Sequence, residues 1–106
     1  MIFKKFLVII SLIFIFFVSK TSYSDEVFKR GKEIFLNEGN CASCHTLSDA
    51  ESIGVIGPNL DEIKPSIELV LSIVKNGRGV MPGYQEILNS QEIEAVSQYV
   101  SKASNW

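Results

Sequence analysis

The chain has 106 residues, with 10 basic and 12 acidic side chains and a formal net charge of −2. This length allows one small domain besides a targeting segment. The slight acidic excess argues against a nucleic-acid-binding function, because that function depends on neutralising phosphates with lysine and arginine.

The N-terminus, "MIFKKFLVIISLIFIFFVSK", has the layout of a secretory signal peptide. Two lysines precede an uncharged apolar run, residues 6–18, and the small residues Ser22 and Ser24 follow at the spacing that a signal peptidase recognises. The run is shorter than the roughly 20 residues that span a bilayer comfortably. We therefore predict that residues 1–24 are a signal peptide cleaved after Ser24. Retention of this segment as an N-terminal anchor is the alternative.

The predicted mature domain, residues 25–106, is small and acidic. It carries seven basic and twelve acidic side chains, a net charge of −5. A chain of this size buries only about 60% of the surface that its unfolded form exposes. Its core would therefore benefit from a further stabilising element.

Three helices are predicted in this domain. The first covers residues 25–40, with acidic side chains in its first turn and Gly39 as its stop. The second covers residues 66–77, from a serine N-cap to a glycine. The third, residues 89–104, begins with the asparagine and glutamate of a capping box. No convincing strand is predicted.

The helices are joined by two long loops that hold the unusual residues. Residues 41–64 contain glycine and proline but no sustained apolar period, which predicts a loop with a turn of helix. Residues 77–88 form a second loop rich in glycine. Loops of this length in a small domain are usually functional.

The stretch "GNCASCHTLSD" holds both cysteines and the single histidine of the chain. A structural zinc site normally has four ligands, and no Cys or His remains after Cys41, Cys44 and His45. A thioredoxin-like pair would follow a strand, and none is predicted there. The remaining interpretation is C-x-x-C-H haem attachment, in which both thiols bond to the haem and His45 is the proximal ligand of its iron. A structural disulfide beside a chance histidine is the less favoured alternative.

The sixth ligand of such an iron would be Met81. The predicted mature chain has no second histidine, and Met81 is its sole methionine. A lone methionine usually fills a gap in a core. Met81, however, lies in the loop "GRGVMPGY" and not on an apolar helix face, which favours a role as iron ligand.

From about residue 28 to residue 100, the chain resembles the class I cytochromes c, the small single-haem carriers of the bacterial periplasm with His/Met ligation. The motifs that carry this resemblance are "CASCH", "GPNL" at residues 57–60 and "NGRGVMPGY" at residues 76–84. The aromatic pair Phe35 and Tyr99, on the first and last helices, also matches. These features occur in the order typical of the class.

The resemblance implies an all-α fold, with three main helices and two long loops wrapped around one covalently attached haem c. It implies that the carbonyl of Pro58 accepts a hydrogen bond from Nδ1 of His45, and that Gly31 lets the first and last helices approach closely. Arg78 would pair with a haem propionate, and Tyr84 would form a hydrogen bond near the haem. No residue is assigned a catalytic role.

The function implied is one-electron transfer in the periplasm, without enzymatic activity. The donor would be a periplasmic dehydrogenase or a cytochrome complex, and the acceptor a terminal oxidase or another protein. Nucleic acid is not a partner, and a membrane is one only if the N-terminal segment is retained. Many members of the class present a lysine-rich face, whereas this acidic chain would be steered toward a basic partner.

Three alternatives remain open. The first is a cytochrome subunit of a periplasmic dehydrogenase that oxidises sulfite or an alcohol. The second is a haem sensor or peroxidase-like protein in which Met81 does not bind the iron. The third is a thiol-disulfide protein without haem.

Overall fold

The computed structural model describes residues 22–105, so most of the predicted signal peptide, residues 1–21, and Trp106 lie outside the described residues. The described part forms four α-helices and one pair of very short strands. In chain order these elements are α1 (Tyr23–Leu36), β1 (Thr46–Leu47), β2 (Ser52–Ile53), α2 (Leu60–Ile63), α3 (Ile67–Asn76) and α4 (Ser90–Ser104). No helix within residues 22–105 has the length and apolar character needed to cross a membrane.

Helix α1 begins slightly earlier and ends earlier than predicted. Ser22 caps its start, accepting a hydrogen bond from the amide of Asp25. The helix ends at Leu36, because the backbone of Asn37 leaves the helical region, with φ of −115° and ψ of −91°. The backbone and side-chain amides of Asn37 both donate to the Glu33 carbonyl, at 2.8 and 3.0 Å. The predicted stop, Gly39, lies beyond this cap.

Helices α3 and α4 begin and end where the sequence predicted. The side chain of Ser66 accepts from the amide of Leu69 at the start of α3, and Gly77, with φ of 77°, follows its end. At the start of α4, Asn89 and Glu92 form both hydrogen bonds of the capping box. Each of these ends depends on residues close in sequence, which is why sequence spacing alone located them.

The long loop between α1 and α3 is more ordered than predicted. Helix α2 is the predicted turn of helix, capped by Asn59. The strand pair β1 and β2 was not predicted. The two strands are antiparallel, and the Thr46 hydroxyl extends the pairing by donating to the Gly54 carbonyl at 2.9 Å. Two-residue strands are too short to show the alternation by which strands are recognised in a sequence.

Helices α1 and α4 cross at very close range at Gly31. A Cβ atom on Gly31 would overlap the carbonyl oxygen of Ala95 and lie 2.5 Å from Cβ of Tyr99. Tyr99 is fully buried and makes edge-on ring contacts with Phe28 and Phe35, at centroid distances of 4.9 and 5.7 Å. The approach through Gly31 that the resemblance implies is thus present. The mainly helical fold predicted from the sequence is confirmed.

A polar cluster ties the loop after His45 to this helix pair. The Tyr99 hydroxyl donates to a carboxylate oxygen of Asp49 at 2.7 Å, and the same oxygen lies 3.4 Å from Nζ of Lys32. Burial, and then the hydrogen bond to Asp49, raise the pKa of Tyr99 above its usual range. The cluster connects α1, α4 and the cysteine-bearing loop through three side chains.

Candidate haem and electron-transfer site

The two cysteines lie on a single turn. A short 3-10 helix, Cys41–Ser43, starts after Asn40, whose φ of 49° is left-handed. The amides of Cys44 and His45 both donate to the Cys41 carbonyl, at 3.1 and 3.0 Å. Both thiols are half-buried and free of a disulfide. The turn therefore brings two available thiols and the imidazole into one short segment.

The environment of Cys41 differs from that of a redox-active cysteine. Burial raises the pKa of the Cys41 thiol to about 11, with a smaller contribution from the nearby Cys44. Reactive dithiols instead depend on a lowered pKa that maintains the thiolate. Within residues 22–105, no three His, Cys, Asp or Glu side chains are grouped so that they could hold a metal ion.

His45 is held by two neighbours in the "GPNL" segment. Its Nδ1 lies 2.8 Å from the carbonyl oxygen of Pro58, which is the contact that the resemblance implies. A carbonyl can only accept, so Nδ1 carries the proton in this hydrogen bond. The lone pair of a neutral ring is then on Nε2, which is free to bind a metal.

Gly57 lies directly against the imidazole. A Cβ atom on Gly57 would lie 2.5 Å from Cε1 of His45, 2.8 Å from Nδ1 and 2.9 Å from Nε2. The amide of Gly57 donates to the Cys44 carbonyl at 2.7 Å, which fixes this backbone beside the ring. The quoted motif included Gly57, yet its packing role was not predicted, since no pattern in the sequence shows what a loop glycine faces.

Met81 follows a tight turn that contains two glycines of positive φ. Gly77 has φ of 77° and Gly79 has φ of 58°. Between them, Arg78 pairs with Met81 through two backbone hydrogen bonds, both 3.0 Å. The Met81 side chain is half-buried and packs against the core, whereas the adjacent Val80 is 92% exposed. The turn thus places Met81 against the core and Val80 in solvent.

Tyr84 and Arg78, the other two side chains of the predicted site, behave differently. The Tyr84 hydroxyl donates to the backbone carbonyl of Gly39 at 2.7 Å. Burial, and then the nearby thiols Cys41 and Cys44, raise the pKa of Tyr84. The Arg78 side chain is exposed and has no hydrogen bond or ion pair with any of residues 22–105.

The donor set fits a haem c. Two free thiols on one turn, an imidazole with Nε2 available and a thioether are the groups that attach and ligate this cofactor. Exposed apolar side chains also lie in the two loops that carry these donors, including Ile56 at 72% and Val80 at 92%. These are the donors that the resemblance implies for a haem c.

Comparison with known proteins identifies relatives among the cytochromes c. The family described as "Cytochrome C oxidase, cbb3-type, subunit III" matches residues 26–100. Cytochrome c6 of Bryopsis maxima is 35% identical over 82 residues, which cover 71% of this chain and 90% of that protein. Cytochrome c-551 of Bacillus subtilis (strain 168) is 32% identical over 83 residues, covering 76% of this chain and 68% of that protein.

A solved structure shows the same fold. The c-type cytochrome SorU from Sinorhizobium meliloti matches with a TM-score of 0.73 and 52% sequence identity, covering 76% of this chain and 93% of that one. With its motifs in order around a mainly helical core, the chain belongs to the class I bacterial cytochromes c, electron carriers with a covalently bound haem c.

Proposed function

We propose that Cys41 and Cys44 attach the haem and that His45 and Met81 are the axial ligands of its iron. The observation that carries this assignment is the hydrogen bond of 2.8 Å between Nδ1 of His45 and the Pro58 carbonyl. It sets the tautomer that a metal-binding imidazole needs, on the same turn as both thiols. When bound, the haem supplies a one-electron ferric and ferrous couple.

The surrounding residues hold the ligands and do not take part in proton chemistry. The Pro58 carbonyl orients His45 and increases the basicity of its ring. Gly57 limits rotation of the ring by contact with its atoms. The reciprocal hydrogen bonds between Arg78 and Met81 fix the backbone that presents the thioether. Ligands held in this way need little rearrangement when the charge of the site changes by one electron.

The test is a pair of visible absorption spectra, oxidised and reduced, of protein made in a bacterium equipped for haem attachment. We expect a low-spin spectrum with the weak long-wavelength band of thioether-bound ferric iron. Met81→Ala should lose this band, and the exposed neighbour variant Val80→Ala should keep it. A high-spin wild-type spectrum that Met81→Ala leaves unchanged would contradict the assignment and favour a sensor or peroxidase-like protein. A colourless product would favour a thiol-disulfide protein.

We propose further that the carrier acts in the periplasm after removal of residues 1–24. The basic and apolar layout of this segment supports export. Cleavage after Ser24 would remove the Ser22 cap of α1 and leave Asp25 at the start of the helix, where an acidic side chain is favourable. The intact mass of the protein recovered from a periplasmic extract should correspond to residues 25–106 plus one haem. A full-length chain in the membrane fraction would indicate a retained anchor.

The net charge of −5 in residues 25–106 supports a partner with a basic docking site. Association with such a partner should slow as the ionic strength rises, because salt screens attraction between exposed charges. This prediction holds for a periplasmic dehydrogenase or a cytochrome complex as donor, and for a terminal oxidase as acceptor.

The second candidate is a subunit of a periplasmic dehydrogenase for sulfite or an alcohol. Three apolar side chains close in sequence support it, since Ile53, Val55 and Ile56 are 84%, 88% and 72% exposed. Grouped exposed apolar residues are typical of an interface. Size-exclusion chromatography of the native periplasmic extract separates the two candidates. Haem that elutes with a much larger protein favours the subunit, and haem at the size of the free domain favours the carrier.

A further inference from the structure

The loop that carries Met81 is fastened to the protein at Tyr84. The amide of Tyr84 donates to the Val74 carbonyl, in the last turn of α3, at 2.8 Å. The Tyr84 carbonyl accepts from the amides of Ile87 and Leu88, at 3.0 and 2.8 Å. Leu88 is 3% exposed and belongs to the core. The backbone of Tyr84 is thus a fixed point three residues after Met81.

The side chain of Tyr84 reaches a second fixed point. Its hydroxyl donates to the Gly39 carbonyl at 2.7 Å across 45 positions of sequence. Gly39 is buried, and its own amide donates to the Ile34 carbonyl at the end of α1 at 2.8 Å. A Cβ atom on Gly39 would lie 3.0 Å from Sγ of Cys41, so the acceptor lies at the entrance to the cysteine turn.

The hydrogen bond between Tyr84 and Gly39 connects the two segments that carry the proposed ligands. Among the hydrogen bonds of residues 22–105, it alone joins residues 77–89 to residues 39–59. The thioether of Met81 is a weak neutral donor, so its hold on a metal depends on how firmly the loop keeps it in place. A movement that carries Tyr84 away from the cysteine turn together with the Met81 loop must break the contact between Tyr84 and Gly39.

We propose that Tyr84 is a positioning residue that clamps the Met81 loop to the haem-attachment turn through its hydrogen bond to Gly39, and thereby suppresses dissociation of Met81 from the iron. This inference rests on the proposed ligation by Met81. In this role the Tyr84 hydroxyl bonds to a backbone carbonyl, and the bond controls how readily another ligand replaces Met81.

The experiment measures how readily imidazole displaces Met81 in the ferric haem-loaded protein, followed by visible absorption. Imidazole can bind only to the fraction of molecules in which Met81 has dissociated, so its apparent affinity reports that fraction. Tyr84→Phe keeps the ring and removes the hydrogen bond. We expect it to bind imidazole about fivefold to tenfold more tightly than the wild type, the factor by which losing one hydrogen bond shifts an equilibrium.

Tyr99→Phe is the matched control. It also removes a tyrosine hydroxyl bonded across the fold, but the partner of that hydroxyl is Asp49 and not the loop of Met81. We expect Tyr99→Phe to bind imidazole as the wild type does, even where thermal unfolding followed by circular dichroism shows lower stability. Equal tightening in both variants would mean that general destabilisation is responsible, and it would overturn the proposal.

Met81→Ala separates failure of this proposal from failure of the ligand assignment. If Met81→Ala binds imidazole far more tightly than the wild type while Tyr84→Phe matches the wild type, Met81 is a ligand and the clamp is wrong. If Met81→Ala also matches the wild type, and neither shows the thioether band, then Met81 is not a ligand and both proposals are overturned.

Discussion

Gly57 and His45 are in direct contact, with the glycine backbone seated against the imidazole ring. The space between them cannot hold a methyl group, because a Cβ atom on Gly57 would approach three atoms of the ring to within 2.9 Å. The hydrogen bond from Nδ1 to Pro58 joins the ring to the very next residue. The "GPNL" segment therefore determines both the plane and the tautomer of His45.

Gly57→Ala should displace the His45 ring and weaken its hydrogen bond to Pro58. A less basic imidazole stabilises ferric iron less, so we expect the reduction potential to rise by on the order of tens of millivolts. For one electron, a tenfold change in the ratio of the ligand's affinities for ferric and ferrous iron corresponds to about 59 mV. Potentiometric titration measures the shift. Val55→Ala, a change at an exposed position two residues earlier, is the control. An unchanged potential in Gly57→Ala would show that the contact does not restrain the ring.

Gly31→Ala should destabilise the crossing of α1 and α4. In a helix, alanine is more favourable than glycine by about 1 kcal/mol of folding free energy. The new Cβ atom would overlap the backbone of Ala95, however, and no side-chain rotation can relieve that overlap. We expect a net loss of about 2 kcal/mol in the free energy of unfolding, measured by chemical denaturation. Lys29→Ala, at an exposed position of the same helix, should change stability little. A more stable Gly31→Ala protein would mean that the helices can separate without loss.

Tyr99→Phe should weaken the cluster that ties the cysteine-bearing loop to the core. The variant removes a hydrogen bond of 2.7 Å to the Asp49 carboxylate, and bonds to charged groups contribute about 2 kcal/mol. Thermal or chemical unfolding measures the loss. Ser72→Ala, which removes an exposed hydroxyl on α3, provides the comparison and should change stability little. Equal stability of the two variants would show that the buried hydroxyl contributes nothing net.

Stability should fall in alkaline solution. Burial, and then the bond to Asp49, raise the pKa of Tyr99 above its ordinary value of 10.0. Above about pH 10 the unfolded chain releases this proton and the folded chain keeps it, so rising pH favours unfolding. The contribution is complete below pH 10 and is lost as the pH rises toward the folded-state pKa.

Denaturant titrations between pH 8 and 12, a range of about two units on either side of the ordinary tyrosine pKa, measure this dependence. Tyr99→Phe should have a shallower alkaline slope than the wild type. Part of the slope should remain, because the pKa of Tyr84 is raised as well. Identical slopes in the two proteins would indicate that Tyr99 does not titrate differently on folding.

The sequence predicted the starts of the helices better than the structure of the loops. The capping box at Asn89 and the serine cap at Ser66 are interactions within four residues, so their spacing in the sequence was sufficient to predict them. The strand pair β1 and β2 was missed because its two-residue strands have no visible period. The end of α1 was misplaced because the helix is capped at Asn37, two residues before Gly39, whose amide donates back to the Ile34 carbonyl.

For the candidate site, the sequence by itself determined which donors are present and how two thiols and an imidazole share one turn, because those contacts are local. Only the tertiary structure decided what surrounds them. Gly57 against His45, Tyr84 on Gly39 and Tyr99 on Asp49 join segments 12 to 50 positions apart. The sequence pattern records the period of a helix and the spacing of a motif. It does not record which atoms of distant loops are brought together when the helices pack.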